Sequence, residues 1–156
     1  MTPAEILIKR LTVLAKTAVL AESCTGGLAS DALVRVPGAS RVFWGGFICY
    51  TLEAKTAMLG VDRDLLRRYG AVSPETACAM AQGALERSGA DFAAAVTGIA
   101  GPEGDGTDTP LGTVWIGTAV SGRPPQARRF HYPFSREGVR TAAAEEAVKE
   151  LLALTD

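Results

Sequence analysis

Two short apolar runs, each followed by a glycine-bearing turn, constrain the fold of this chain more than any other feature. They occupy residues 17–21 (TAVLA) and 92–97 (FAAAVT). Strands that are apolar along their whole length are typical of sheets covered on both faces. Helical patterns alternate with these runs, and an apparent hairpin follows near the end. The sequence therefore predicts an α/β fold, a three-layer αβα sandwich with a mixed β-sheet, in one domain spanning residues 1–156.

Helix start and stop signals support this arrangement. Thr2-Pro3-Ala4-Glu5 has the composition of a capping box with proline at the first helical position. Ser73-Pro74-Glu75 begins a further helix, which Gly89 ends. The remaining predicted helices are 28–36, 53–59, 62–69 and 139–154, and the remaining predicted strands are 42–50, 113–120 and 127–132.

Composition excludes several classes of protein. The 16 Lys+Arg and 17 Asp+Glu residues give a net charge of −1, which argues against a nucleic-acid-coating protein. The three cysteines form no C-x-x-C and stand far from the single histidine, so neither a zinc site nor a disulfide framework is expected. No apolar run approaches the ~20 residues that span a bilayer. We therefore expect a soluble cytoplasmic protein with no membrane partner.

The first candidate site is the segment AESCTGG, residues 21–27, between a strand and a helix. Ligands of open α/β sheets bind outside the carboxyl ends of the strands. Ser23 can be a nucleophile there, with N–H groups near Thr25, Gly26 and Gly27 facing an oxyanion. Two alternatives stay open: Ser23 or Thr25 only caps the helix, or Cys24 is a reactive thiol whose pKa the helix start lowers.

The second candidate is the loop that begins with TGIAGP, residues 97–102. Its glycines let the backbone approach a ligand closely, although an irregular crossover is the alternative. Glu103, Asp105 and Asp108 follow in the same loop. Their spacing fits no strong metal template, so solvated carboxylates and no bound metal are predicted.

The third candidate is the pair Tyr50 and Lys55, just past a predicted strand. A serine nucleophile needs a base, and His131 lies in a late, arginine-flanked strand, which gives a Ser-His-Asp arrangement little support. A lysine with a lowered pKa can serve as base if it is buried. From the residues alone, a surface lysine is the favoured interpretation of Lys55.

Four segments taken together resemble a known family. AESCTGG, GGFICYTLEAKTAMLGV, GAVSPETACAMAQGAL and ADFAAAVTGIAGPEGDGTDTPLGTVWIG match, in order and spacing, the CinA C-terminal domain family. That family includes the stand-alone nicotinamide-nucleotide amidohydrolases (PncC-type NMN deamidases). The resemblance covers essentially the whole chain. It implies an αβα-layered domain that hydrolyses the carboxamide of nicotinamide mononucleotide (NMN) to nicotinate mononucleotide and ammonia, without a cofactor.

The resemblance also implies site residues. The family's catalytic serine and lysine correspond to Ser23 and Lys55, and Tyr50 is expected to orient the lysine or relay a proton to the leaving ammonia. The expected substrate-binding residues are Thr25, Gly26, Gly27, Gly46, Thr97, Gly98, Ala100, Gly101, Arg136 and Arg140.

Two departures from the family pattern concern the substrate contacts. Leu52 stands where many members have a small polar residue. The frequent Gly-Asp-Arg-x-x-Val-Arg motif appears here as residues 134–140, FSREGVR, which keeps both arginines but neither the glycine nor the aspartate. Arg136 and Arg140 are carried over as phosphate-side cations, with solvated helix-start residues as the alternative.

Three functions are therefore compared. The leading one is an amidohydrolase acting on a small nucleotide, followed by a non-catalytic nucleotide-binding module of the same fold and then by thiol chemistry at Cys24. The mean hydropathy of +0.15 and the resemblance predict a homo-oligomer. A separate nucleotide pyrophosphatase, the domain to which this one is often fused in the family, is an expected partner.

Overall fold

Five strands form one mixed sheet at the centre of the molecule. A computed structural model describes all 156 residues. The strands are β1 (Ala18–Glu22), β2 (Phe43–Ile48), β3 (Phe92–Gly98), β4 (Thr113–Val120) and β5 (Gln126–His131). Their order is β2-β1-β3-β4-β5, in which β2, β1 and β3 run parallel and β4 and β5 continue antiparallel. The predicted mixed sheet and its late hairpin are confirmed.

Six helices cover the two faces of the sheet. They are α1 (Pro3–Leu14), α2 (Leu28–Val34), α3 (Leu52–Leu59), α4 (Arg63–Tyr69), α5 (Pro74–Ser88) and α6 (Arg136–Ala153). A core cluster of 22 buried residues joins α1, α2 and α6 to one face. A second cluster of 14 buried residues joins α3, α4 and α5 to the other face. The α/β architecture with three layers is thus confirmed. No helix combines the length and apolar character that a membrane span requires.

The apolar runs form the two central strands for the reason that their composition suggests. All five residues of β1 are buried, and so are the five central residues of β3. Leu20 points into the core cluster on the α6 side, whereas Val19 and Ala21 point into the cluster on the α5 side. Successive side chains of a strand face opposite sides, so a strand covered on both faces is mainly apolar. Glu22, the one charged residue of β1, is its last residue.

Helix caps explain where the chain turns near the strand ends. The capping box of Thr2 is formed as predicted, and Ser73 caps α5. Ser135 accepts a hydrogen bond from the Gly138 N–H, so α6 begins at Arg136 and not at the predicted residue 139. A short 3₁₀ turn at Ala39–Arg41, which the sequence analysis did not anticipate, precedes β2.

Candidate active site

The carboxyl ends of β1 and β2 bring the first and third candidate segments together. The two strands are parallel neighbours, and Glu22 pairs with Ile48 at their ends. Ser23 follows β1 directly, and Tyr50 follows β2 at the same edge of the sheet. Thr51 then caps α3 by accepting a hydrogen bond from the Ala54 N–H. Lys55, in the first turn of α3, therefore reaches back toward Ser23.

Lys55 and Ser23 form a buried pair. The Lys55 Nζ lies 2.8 Å from the Ser23 Oγ, 3.0 Å from the Cys49 carbonyl oxygen and 3.2 Å from the Tyr50 carbonyl oxygen. Lys55 is 1% exposed and Ser23 is 7% exposed. The lysine pairs with no carboxylate. The interpretation of Lys55 as a surface lysine is therefore wrong.

The surroundings of Lys55 favour its neutral form. Burial lowers the pKa of Lys55 below its ordinary value of 10.5, because desolvation penalises the ammonium ion. A neutral amine has two N–H donors and one lone pair. In the neutral form, the carbonyls of Cys49 and Tyr50 would accept the two N–H bonds, and the lone pair would be left for the Ser23 hydroxyl proton. This is the arrangement that a general base requires.

A cavity of about 270 Å³ lies over this pair. Its wall contains residues from all three candidate segments. The predicted site residues that line it are Ser23, Tyr50, Lys55, Thr97, Gly98, Ala100, Gly101 and Arg136. The predicted residues that do not line it are Thr25, Gly26, Gly27, Gly46 and Arg140. A larger groove of about 510 Å³ between α1, α2 and α6 has no serine, cysteine, histidine or lysine in its lining.

Glu22 caps α2, a role that the sequence analysis missed. Its carboxylate is fully buried and accepts hydrogen bonds from the Ala29 N–H at 2.9 Å and the Ser30 N–H at 3.0 Å. The hydroxyl groups of Thr25 and Ser30 donate to the same carboxylate. The residue at the N-cap position is Gly27, which has no side chain to offer. The alternative that Ser23 or Thr25 caps this helix is therefore wrong.

Two of the predicted glycines serve close packing in the structure. A Cβ at Gly46 would clash with the Ser30 Oγ, so glycine lets β2 pack closely against α2 without displacing that hydroxyl. Gly26 has φ +59, and a Cβ there would lie 3.3 Å from the Arg140 guanidinium. Arg140 itself donates from Nε to the Cys24 carbonyl at 2.9 Å and from Nη2 to the Thr25 carbonyl at 3.2 Å. Arg140, which was predicted to bind the substrate phosphate, therefore binds two backbone carbonyls of the protein itself.

Tyr50 and Arg136 form the mouth of the cavity. Arg136 donates from Nη1 to the Gly101 carbonyl at 2.7 Å and from Nη2 to the Tyr50 hydroxyl at 3.3 Å. The Tyr50 ring is 58% exposed, and Tyr50 contacts the lysine through its carbonyl oxygen, not through its phenol. Leu52, the departure from the family pattern, is half-exposed at the first residue of α3 and lies outside the cavity wall.

The second candidate segment forms the opposite wall of the cavity. The Thr97 hydroxyl donates to the Ala71 carbonyl at 2.7 Å, which ties the end of β3 to the segment before α5. Ala71 and Val72 line the cavity, a contribution for which the sequence offers no signal. Glu103 and Asp105 also line it. No three histidine, cysteine, aspartate or glutamate side chains converge into a possible metal site.

The structure favours neither Cys24 as the nucleophile nor His131 as the base. Burial raises the pKa of the Cys24 thiol to about 11, so the expectation of a lowered thiol pKa at a helix start is wrong. The N-terminus of α2, which would have lowered it, is occupied by the Glu22 carboxylate. His131 lies outside the cavity wall, with its Nε2 3.1 Å from the Leu111 carbonyl.

Comparison with known proteins identifies the family. The family model of the CinA C-terminal domain matches residues 1–155. The chain belongs to the CinA C-terminal domain family. A CinA-like protein of Akkermansia muciniphila is 50% identical over 135 residues, which are 86% of this chain and 33% of that protein. A putative competence-damage inducible protein of Symbiobacterium thermophilum is 48% identical over 136 residues, 82% of this chain and 32% of that protein. This CinA domain thus spans about a third of the length of these curated relatives.

Solved structures share the whole architecture of this CinA domain. The competence/damage inducible protein CihA from Agrobacterium tumefaciens superposes with a TM-score of 0.94 at 42% identity, covering 99% of this chain and 94% of that one. A CinA superfamily protein from Escherichia coli superposes with a TM-score of 0.93 at 37% identity, covering 97% of this chain and 88% of that one. The resemblance to this family that the sequence suggested is therefore confirmed.

Proposed function

We propose that this CinA domain hydrolyses the carboxamide of NMN to nicotinate mononucleotide and ammonia, with Ser23 as nucleophile and Lys55 as base. One observation carries the proposal: the Lys55 Nζ lies 2.8 Å from the Ser23 Oγ in a buried setting without a carboxylate partner. A serine activated by a neutral amine is an established variant of the serine–base arrangement in acyl transfer.

In the first half of the reaction, the neutral Lys55 amine takes the Ser23 proton while the Oγ bonds to the carboxamide carbon. The amide oxygen becomes an oxyanion. The Cys24 N–H makes no backbone hydrogen bond and Cys24 lines the cavity, so this N–H is the donor available to the oxyanion. The Lys55 ammonium then gives its proton to the amide nitrogen, the C–N bond breaks, and ammonia leaves an ester on Ser23.

In the second half, water attacks the ester carbon and Lys55 accepts a proton from it. When the bond to the Ser23 Oγ breaks, that proton returns to the serine. The product acid gives up its remaining proton to solvent, where ammonia takes up a proton to become ammonium. Nicotinate mononucleotide thus leaves as the carboxylate, and both residues are in their starting states. No oxidant, reductant or metal ion is needed for either half.

Other residues of the cavity support the binding of a nucleotide substrate. Arg136 is the one basic side chain besides Lys55 among the lining residues, and it stands at the mouth. Ser23 and Arg136 line the same cavity, so a substrate with its amide at Ser23 can present its phosphate to Arg136. Backbone at Gly98, Ala100 and Gly101 forms the wall beside this path. We assign substrate binding to these residues and to Thr97.

The competing function is a nucleotide-binding module without catalysis. Such a module has no use for a desolvated lysine on a serine hydroxyl, since burying an amine costs free energy. Ammonia and nicotinate mononucleotide are measured after incubation of the purified protein with NMN, NAD or nicotinamide, without added metal and with EDTA. We expect release from NMN that EDTA leaves unchanged. Binding of NMN without ammonia release would establish the module instead. Loss in EDTA, restored by a divalent ion, would point to Glu103 and Asp105 and a water nucleophile.

We further propose that the protein acts in the cytoplasm, in pyridine nucleotide salvage, as a homo-oligomer and beside a separate nucleotide pyrophosphatase. Exposed apolar side chains on the edge strand β2 support self-association: Trp44 is 52% exposed and Ile48 is 51% exposed. An edge strand without charged residues is open to pairing. Light scattering on the eluted peak of a sizing column measures the mass, and a monomer at all concentrations would contradict this part.

A further inference from the structure

We propose that Arg140 is a positioning residue that holds and polarises the nucleophile turn, and that it does not bind the substrate phosphate. The nucleophile turn is defined here as residues 23–27, between β1 and α2. The inference rests on the proposed function only in assuming that Ser23 attacks an electrophile whose oxygen gains negative charge. It assigns Arg140 a role different from the one that the family resemblance implies.

The guanidinium of Arg140 donates two hydrogen bonds to the backbone of the turn. Its Nε donates to the Cys24 carbonyl at 2.9 Å and its Nη2 to the Thr25 carbonyl at 3.2 Å. One edge of the planar guanidinium thus bonds two consecutive carbonyls. The single nitrogen of a lysine ammonium cannot reach both with this geometry. Arg140 also lies outside the cavity wall, whereas Arg136, one turn earlier on α6, lines it.

These two bonds act on the peptide units that carry the turn's N–H groups. The unit with the Cys24 carbonyl carries the Thr25 N–H, which makes no backbone hydrogen bond. The unit with the Thr25 carbonyl carries the Gly26 N–H, which donates to the Ser23 carbonyl at 3.2 Å. Polarising a carbonyl strengthens the donor at the other end of the same unit. Thr25 is fully buried, whereas Cys24 lines the cavity. A cation on the Thr25 carbonyl strengthens the Gly26 N–H bond to the Ser23 carbonyl, and this makes the Cys24 N–H, at the other end of the same peptide unit, a stronger donor to an oxyanion.

The nucleophile turn also contacts the Glu22 carboxylate, to which the Thr25 hydroxyl donates a hydrogen bond. The Glu22 carboxylate takes the first N–H groups of α2, those of Ala29 and Ser30. The chain's own carboxylate therefore already meets the partial positive charge at the N-terminus of α2. The turn stands between a carboxylate on one side and the Arg140 guanidinium on the other. Both groups act on the backbone next to the nucleophile, and neither reaches the reacting atoms.

The steady-state test compares two substrates that differ only in the phosphate, NMN and nicotinamide riboside. For Arg140→Gln we expect kcat to fall on the order of 10–100-fold on both, with their ratio of kcat/KM kept at the wild-type value. The matched variant Arg136→Gln, on the same face of α6, should instead raise KM for NMN and lower that ratio. If Arg140→Gln keeps kcat, raises KM for NMN and abolishes the discrimination, Arg140 binds phosphate and the inference is overturned.

A second measurement is independent of NMN hydrolysis. A fluorophosphonate reacts with the Ser23 Oγ, forming an O–P bond and releasing fluoride while Lys55 takes the proton. We expect Arg140→Gln to slow this labelling, because the phosphoryl oxygen also gains charge. Labelling at the wild-type rate would overturn the inference even if NMN is hydrolysed. Slowed labelling in a protein that does not hydrolyse NMN would support it while refuting the proposed function.

Chemical rescue separates positioning from folding. In Arg140→Ala, added guanidinium ions should restore part of the labelling rate, whereas methylammonium ions should not, because only a planar fork spans both carbonyls. Thermal unfolding of each variant checks that the fold is kept. If Arg140→Gln and Arg140→Ala do not fold, Arg140→Lys is used; it should keep the charge, bond one carbonyl and label at an intermediate rate. If Arg140→Lys is labelled at the wild-type rate, the planar guanidinium has no role in holding the turn.

Discussion

The Lys55 Nζ lies 2.8 Å from the Ser23 Oγ, although 32 positions separate the two residues in the chain. The contact depends on three rigid elements: β1 ends just before the serine, β2 ends beside it, and α3 carries the lysine back. Side chains on rigid elements hold a catalytic geometry more precisely than side chains on loops. The pair is thus a consequence of parallel strand register and of the helix start at Leu52.

Replacement of the nucleophile is the first prediction. Ser23→Ala should remove at least ~10³-fold of the turnover on NMN, because a covalent mechanism loses its attacking group. The thermal unfolding midpoint should stay close to that of the wild type. Cys24→Ala is the matched control on the next residue and should cost little. If the cysteine variant loses turnover and the serine variant keeps it, the nucleophile has been misassigned.

The pH dependence of the rate is the second prediction. Burial lowers the pKa of Lys55, and the base must be neutral, so kcat/KM should rise with pH through that lowered pKa and then level off. Lys55→Met should lose most of the rate and the rise with it. Lys55→Arg, which keeps a permanent charge, should be as inactive as the methionine variant. An active arginine variant would show that charge, not proton transfer, is what the site needs.

The pH dependence of stability is the third prediction. The unfolded chain binds the Lys55 proton up to pH ~10.4, whereas the folded chain releases it at a lower pH. Stability should therefore rise with pH between the lowered pKa and ~10.4, by at most about 1.4 kcal/mol per pH unit. Urea unfolding of the wild type and of Lys55→Met is compared across this range. The free energy of unfolding of the variant, relative to the wild type, should fall as pH rises.

The matched control for this measurement is Ser23→Ala, which keeps the lysine. Its free energy of unfolding should change with pH as that of the wild type does. A constant difference between Lys55→Met and the wild type at all pH values would mean that Lys55 has the same pKa in the folded and unfolded chains.

The strands and helices were predictable because their signals are local. The runs at 17–21 and 92–97 are apolar except for the terminal Thr17 and Thr97, a pattern typical of a strand covered on both faces, and they form β1 and β3. Ser73-Pro74-Glu75 and Gly89 bounded α5 because a hydroxyl cap, a proline and a positive φ each have one favoured place in a helix. Boundaries moved by a few residues where a cap was overlooked, as at Ser135.

The contact between Ser23 and Lys55 was not predictable from the residues alone. Burial of Lys55 depends on strand order, because β1 and β2 must be parallel neighbours for the lysine to meet Ser23. Only the family resemblance supplied that pairing. Glu22 was missed because a glutamate next to a serine suggests a solvated turn. Glu22 lies at a strand end, seven residues before Ala29, whose N–H it accepts. That position is the signal that could have indicated a buried cap of α2.

Removal of the Glu22 charge is the fourth prediction. Its carboxylate accepts from two N–H groups and from the hydroxyls of Thr25 and Ser30. In Glu22→Gln the amide NH₂ would face some of these donors, so we expect the free energy of unfolding to drop by about 3 kcal/mol or more. The exposed Glu5→Gln, in the capping box of α1, should cost at most about 1 kcal/mol. Chemical denaturation measures both, and equal small losses would contradict the buried cap.

Recognition of the substrate phosphate is the fifth prediction. Arg136 stands at the cavity mouth, and a charge-assisted contact of this kind is worth roughly 1.5–3 kcal/mol. Removing the phosphate from NMN should therefore lower kcat/KM by on the order of tenfold to a hundredfold. Free nicotinamide should be poorer still, because remote binding energy helps to position the amide.

The same contact should be lost when the arginine is removed instead of the phosphate. Arg136→Gln should bring kcat/KM on NMN down toward the value on nicotinamide riboside, while the value on the riboside changes little. Arg129→Gln, on the edge strand β5 and outside the cavity wall, is the matched control and should keep the full discrimination. Equal efficiency of the wild type on NMN and nicotinamide would refute nucleotide specificity. If Arg136→Gln keeps the wild-type ratio of kcat/KM between NMN and nicotinamide riboside, the phosphate is bound by the backbone N–H groups at Gly98 and Gly101 and not by Arg136.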